Sequence, residues 1–209
     1  NYIPEFAKPT LLDKYNPLDS SYTTTPAKSE ITIRQLLSHT SGIGYPQIGS
    51  ETANAIYAKA GLIAGLGSDI GRILGDDVKK IAKLPLFNNP GAAYLYGWNS
   101  DVLGYLVEVT SGMSLDQFFE KRIFEPLGMH DTYFYLPPSK HNRLVTLFQE
   151  KDKKLVNAKE SAPSVANYPT TSGTFYSGGG GLSSTAMDYA IFLQMLLNGG
   201  VYNSKRILA

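Results

Sequence analysis

The sequence predicts an α+β chain (α/β in the broad sense), mainly helical with a few short strands. Three observations predict this class. Cap patterns at Thr32-Ile-Arg-Gln35, Ser114-Leu-Asp-Gln117 and Thr185-Ala-Met-Asp188 each stand before a stretch whose apolar residues recur at helical spacing. Glycine and proline, 20 and 12 among 209 residues, punctuate the ends of those stretches. Strand-like runs are short and confined to the second half of the chain.

Residues 1–30 contain Pro4, Pro9, Pro17 and Pro26 and a Thr23-Thr-Thr25 run, and are expected as an extended lead-in with little regular structure. Residues 31–135 are expected as a helical lobe. The Thr32 capping box opens a short helix that closes near Gly42, and helices follow around 51–64 and 76–84, the latter stopped by Pro85. After the Pro90-Gly91 turn, Asn99 or Ser100 is placed to cap a helix over 101–110, with Leu103, Leu106, Val107 and Thr110 on its buried face and Gly112 at its end. Ser114 opens the next helix and Pro126-Leu-Gly128 closes it. Short strands are expected at 131–136, 144–149 and 154–158, the last two joined by the polar turn Lys151-Asp-Lys153. Residues 136–209 thus hold short strands, the Gly178-Gly-Gly-Gly181 loop and an apolar helix that runs from Thr185 to Leu197 and stops at Gly199-Gly200.

Composition narrows the function classes. Lys plus Arg total 19 against 18 for Asp plus Glu, with no block of like charge, so there is no electrostatic footprint for nucleic acid or an anionic membrane. No apolar run reaches the roughly 18–20 residues that span a bilayer, and the first residues lack the basic start and apolar core of a signal peptide. The absence of cysteine excludes disulfides, thiolate-bound metal and a cysteine nucleophile, and fits a reducing cytosol and an oxidising periplasm equally. The chain begins without Met and ends at Arg206-Ile-Leu-Ala209 just after an apparent turn, so both ends are expected to continue into a longer protein.

Self-contained catalytic motifs are missing. There is no Gly-x-Ser-x-Gly elbow, no Ser followed three residues later by Lys and no His-Glu-x-x-His, and Gly65-Leu-Gly67 with Gly71 has the wrong spacing for a dinucleotide loop. His39, His130 and His141 form no i,i+4 pair, which leaves no basis for a metal or other cofactor; His39 reads as a structural residue beside the free carbonyls of a helix end. The tetraglycine is not followed by Lys-Ser/Thr, so it reads as a close backbone approach whose amides can face a ligand.

Four blocks in order carry a family resemblance: Ile31-Thr-Ile-Arg-Gln-Leu-Leu-Ser-His-Thr-Ser-Gly-Ile43, Tyr96-Gly-Trp-Asn-Ser-Asp-Val-Leu-Gly-Tyr-Leu-Val-Glu108, Ile123-Phe-Glu-Pro-Leu-Gly-Met-His-Asp-Thr132 and Gly179-Gly-Gly-Leu-Ser-Ser-Thr185. They resemble the serine β-lactamase-related family, which includes class C β-lactamases, D-alanyl-D-alanine carboxypeptidases, penicillin-binding proteins and carboxylesterases. The resemblance implies a β-lactamase/transpeptidase-like fold of which this chain is mainly the helical lobe, and an acyl-transfer enzyme in which a Ser, followed three residues later by a Lys, forms an acyl-enzyme. Tyr96 matches the family tyrosine that passes a proton between nucleophile and leaving group. A phenol, with an ordinary pKa of about 10, becomes a useful base only where a nearby cation favours the phenolate, and the family's lysines supply that charge.

Two departures shape the expectation. Many members carry Tyr-x-Asn, whereas here the third position is Trp98 and the asparagine follows at Asn99, which moves the expected substrate from β-lactams towards small acyl or D-amino-acid compounds. Trp98, Asn99, Gly179 and Gly180 are the candidate cleft wall, with a plain N-cap as the alternative for Asn99. The family's Ser-x-x-Lys helix would precede residue 1 and its Lys/His-Thr/Ser-Gly strand would follow residue 209, so most of the sheet lobe lies elsewhere and this chain alone is expected to be inactive. The alternative is a non-catalytic binding or scaffolding homologue. With cleft-facing apolar residues uncovered, the isolated 209-residue chain is expected to self-associate; a monodisperse monomer in sedimentation would contradict this.

Overall fold

The computed structural model describes residues 2–63, 71–161 and 166–209. Residue 64 and the glycines at 65 and 67 lie outside these residues, and the helix expected over 51–64 ends at Lys59. Contacts divide the chain into two compact units: the described parts of 1–67 with 72–112 and 177–180, and the described parts of 68–71 with 113–176 and 181–209. Residues 113–135, expected to belong with the helical segment that carries Tyr96, therefore pack with the later part of the chain.

In the first unit, strands β1 (Thr10–Asn16) and β2 (Ser21–Pro26) pair antiparallel, with Thr10 opposite Pro26, Asn16 opposite Ser21 and a register shift between Leu12 and Lys14. This corrects the expectation of an irregular lead-in. Pro9 and Pro17 lie outside the ladder and Pro26 is its last residue, while Thr23, Thr24 and Thr25 supply β-branched residues between them. Helix α1 (Ile33–Leu37) carries the full capping box: Gln35 N donates to Thr32 Oγ1 at 3.2 Å and Thr32 N to Gln35 Oε1 at 2.9 Å. Helix α2 (Glu51–Lys59) is capped by Ser50, and α3 (Leu74–Ile81) begins two residues earlier than expected. Their inward residues Ile56, Tyr57, Leu74 and Val78 join Leu36, Ile43, Trp98 and Val102 as the buried side chains of this unit.

Helix α4 (Asn99–Ser111) ends as expected at Gly112, in the left-handed conformation, but its buried residues are Asn99, Asp101, Val102 and Gly104. Leu103, Leu106 and Val107 are only half-buried and Thr110 is exposed. The polar first turn, rather than the apolar stripe, is the most deeply placed part of this helix.

In the second unit, α5 (Leu115–Phe119) runs through a π-helical turn, Glu120–Phe124, into α6 (Glu125–Leu127), closed by Gly128. Ser114 precedes α5 but makes no side-chain cap bond, so the second capping box is not formed. Strands β3 (Phe148–Lys151) and β4 (Lys154–Asn157) form the expected hairpin around Asp152 and Lys153, both at positive φ, followed by α7 (Ala158–Ser161). Helix α8 (Ala186–Leu197) is capped by the Thr185 side chain and leads into a small hairpin, β5 (Val201–Tyr202) with β6 (Lys205–Arg206). Phe124, Leu127, Met129 and Met195 form the core of this unit, with Phe119, Ile123, Ile191 and Phe192 against it. No helix among the described residues is long and apolar enough to cross a membrane.

The strand expected over 131–136 is absent; only Tyr133 and Ser183 make a bridge. The backbone donors on either side have other partners: Asp131 N donates to Asp188 Oδ2 at 2.8 Å and Leu136 N to Pro169 O at 2.7 Å. Thr132 Oγ1 donates to the same Asp188 oxygen at 2.9 Å. Asp188→Ala is therefore expected to lower stability by about 1–3 kcal/mol, the cost of orphaned buried donors, read as a fall in the denaturant midpoint; an unchanged midpoint would contradict it.

Hydrogen bonds from Arg143 and Lys140 hold the Asp131 carboxyl well below its ordinary value, at about 2. A lowered carboxyl pKa stabilises the folded state above the unfolded value of about 3.9. That contribution fades as pH falls through about 2. Between pH 4 and 2 the wild-type melting temperature is thus expected to fall further than that of Asp131→Asn, and equal falls would count against the ion pair.

Candidate active site

Backbone hydrogen bonds lay the segment before α4 along the turn that follows α1. Gly91 N donates to Thr40 O at 2.7 Å, Leu95 N to His39 O at 2.8 Å and Trp98 N to Gly44 O at 3.2 Å. The approach is so close that a Cβ on Gly97 would lie 1.9 Å from Ile43 O, which only glycine tolerates. The two residues flanking that glycine then go opposite ways: Tyr96 is 46% exposed and Trp98 is 1% exposed.

The Tyr96 ring stacks on the His39 imidazole, with centroids 5.0 Å apart and planes 9° from parallel, and Tyr45 meets it edge-on at 5.6 Å. Its hydroxyl has no hydrogen-bond partner among the described residues and is free to meet a ligand. His39, which the sequence presents as a plain helix-end residue, is instead in direct contact with the candidate proton relay.

Trp98 and Asn99, expected in a cleft wall, are both buried. Trp98 packs into the core against Tyr45 at 5.2 Å, and its indole Nε1 is buried without a partner among the described residues. Asn99 is 0% exposed and is the first residue of α4, so the N-cap position falls to Trp98. Ile43 N donates to Ser41 Oγ at 3.1 Å, and Ser41 donates its own proton to Asn99 Oδ1 at 2.5 Å. Asn99 Nδ2 lies 3.0 Å from His39 Nδ1. Both ends of the amide are thus used within the protein. The one-residue shift from Tyr-x-Asn accounts for this: Gly97 puts Tyr96 outside, and Asn99 enters the helix as its first buried turn begins.

Gly179 and Gly180 are exposed, at the end of a loop tied to the same helical turn. Asp101, 3% exposed, accepts from Ser177 Oγ at 2.7 Å and from Gly178 N at 3.1 Å through Oδ1. Gly179 N donates to Ser177 Oγ at 3.1 Å, and a Cβ on Gly178 would fall 2.1 Å from Ser100 O. Burial pushes the Asp101 carboxyl above its ordinary value, and the bonds from Ser177 and the glycine amides pull it partly back. The exposed Gly179 and Gly180 leave an accessible backbone edge.

The first turn of α4 therefore organises the candidate site: Tyr96 precedes it, Asn99 grips the turn after α1, and Asp101 grips the glycine loop. His39, Ser41, Asp101 and Ser177 are the residues sequence reasoning passed over. The polar run Ser38-His-Thr-Ser41 directly after a helix, and an acidic residue in the first turn of α4, are the signals that mark them.

The sequence model of the Beta-lactamase family matches residues 8–209. Protein Rv1367c of Mycobacterium tuberculosis is 32% identical over 209 residues, covering 100% of this chain and 48% of the relative. Lovastatin esterase of Penicillium rubens is 32% identical over 199 residues, covering 93% of this chain and 46% of the relative. Among solved structures, EstCE1, a hydrolase with promiscuous acyltransferase activity, matches with a TM-score of 0.73 at 24% identity, over 99% of this chain and 52% of that one, a likeness of fold. The chain spans about half the length of the curated relatives it matches. With four ordered sequence blocks, a β-lactamase/transpeptidase-like fold and a family match from residue 8 to residue 209, the chain belongs to the Beta-lactamase family.

Proposed function

We propose that the protein containing this chain is a serine acyl hydrolase working through an acyl-enzyme, with Tyr96 as its proton relay and the exposed glycines Gly179 and Gly180 beside the cleft. The observation that carries this reading is the Tyr96 side chain itself: half-exposed, its ring face held by His39, its hydroxyl without a partner among the described residues. A tyrosine kept for packing would bury its ring or bond its hydroxyl.

The chemistry follows from the resemblance. A serine outside this chain attacks the substrate carbonyl, its Oγ–C bond forms, and its proton passes through the Tyr96 phenol to the departing group as the acyl bond breaks. Water then reverses the sequence, giving its proton back through the phenol to the serine as the acid leaves. This chain supplies the relay and one side of the cleft and is inactive alone.

Esters and D-amino-acid peptides rank above β-lactams as substrates, because Asn99, the nearest amide to the family's Tyr-x-Asn position, has both ends of its side chain committed inside the protein. The names of the relatives agree with an ester preference, since one is a lovastatin esterase and another fold neighbour is a hydrolase with acyltransferase activity.

The test uses the full-length protein, labelled in parallel with a fluorophosphonate and a fluorescent penicillin and assayed on p-nitrophenyl acyl esters. Tyr96→Phe is expected to lower kcat by about 10²-fold or more, the usual worth of a general acid–base group. Undiminished turnover in that variant removes Tyr96 from the mechanism, and penicillin labelling that outpaces ester turnover reverses the substrate ranking.

A further inference from the structure

We propose that His39 is a positioning residue for Tyr96, fixing the direction of the phenol through a stack whose own orientation is locked by Asn99 and Ser41. The inference rests on the reading of Tyr96 as the proton relay.

The lock follows from counting protons. Ser41 Oγ accepts from Ile43 N and donates its one proton to Asn99 Oδ1. With its oxygen towards Ser41, the Asn99 amide turns Nδ2 towards His39 at 3.0 Å. With Nδ2 as the donor, His39 Nδ1 is the acceptor of this bond. The ring cannot rotate without stranding a buried amide donor. Its backbone is pinned as well: His39 adopts φ 52, a left-handed conformation that His, like Asn and Asp, adopts more readily than most side chains, while its carbonyl accepts from Leu95 N one residue before the tyrosine.

The imidazole so held lies parallel to Tyr96 at 5.0 Å, and Tyr94 packs obliquely against the same imidazole at 5.9 Å. A phenol hydroxyl moves by the full length of its ring when the side chain swings about χ1. Covering one ring face with a rigid imidazole and meeting it with Tyr45 removes that swing. The hydroxyl is left aimed with no hydrogen bond to another described residue that would have to break before proton transfer.

Two substitutions separate aim from stability. His39→Asn keeps a side-chain acceptor for Asn99 and a residue that tolerates positive φ, but deletes the stack. His39→Phe keeps the stack, but deletes the acceptor and strains the backbone. In the full-length protein with a p-nitrophenyl acyl ester, His39→Asn is expected to melt near the wild type and to lose about tenfold in kcat with KM within about twofold, as for a misplaced reacting group. His39→Phe is expected to melt lower while holding kcat within about threefold of wild type, since its ring still covers the tyrosine. In a Tyr96→Phe background, His39→Asn should cause no further loss.

Turnover that tracks melting temperature across the two variants overturns the inference. So does an equal loss from His39→Asn with and without the Tyr96 hydroxyl. Should His39→Asn fail to fold, His39→Phe alone decides, and a tenfold loss of kcat in its folded fraction is the overturning result. A loss in Tyr96→Phe with none in His39→Asn removes this inference and leaves the relay standing, whereas full turnover in Tyr96→Phe removes both.

Discussion

Asn99 and Asp101 place an amide and a carboxylate in one helical turn at 0% and 3% exposure, and the rest of the first unit is arranged around satisfying them. A buried polar group left unpaired costs about 1–3 kcal/mol, and more when charged. Neither group can turn to solvent, so each must draw a partner from a distant part of the chain. Asn99 draws Ser41 and His39 from the turn after α1; Asp101 draws Ser177 and Gly178 from the glycine loop. Two segments with no regular structure of their own thereby acquire fixed positions at one helix end.

The second unit uses the same device. Asp188, buried in the first turn of α8, accepts from the Asp131 amide and the Thr132 hydroxyl. An acidic side chain there also has the favourable sign for the positive end of a helix. In both units a carboxylate in the first turn of a helix reaches to a remote loop. Caps satisfy local donors; these carboxylates fix long-range geometry.

This difference explains what was legible in the sequence. The Thr32 capping box and the Thr185 cap depend on residues three apart, and both form as read. The family blocks, which depend only on residue order, identify the fold and single out Tyr96. The direction of Trp98 and Asn99 was not legible, because it depends on a backbone contact with residue 43 that no spacing reveals. The hairpin over residues 10–26 was hidden by prolines that in fact flank its ladder, and the strand expected over 131–136 was lost to the pull of Asp188. The role of His39 was obscured for the same reason: its partners Tyr96 and Asn99 lie in another block.

The glycines complete the constraint. At Gly97 and Gly178 a Cβ would meet Ile43 O at 1.9 Å and Ser100 O at 2.1 Å, so on both sides of the α4 start backbone packs directly on backbone. Side-chain contacts can relax by changing rotamer, but backbone contacts held by buried hydrogen bonds cannot do so without breaking several at once. The tyrosine and the glycine loop are therefore mounted on supports set by folding rather than by ligand binding. Proton transfer over hydrogen-bond distances requires this, because a donor displaced by an ångström loses much of its effect. Among the described residues the Tyr96 hydroxyl has no hydrogen-bond partner, and in the proposed relay its aim comes from the ring's neighbours, His39 and Tyr45.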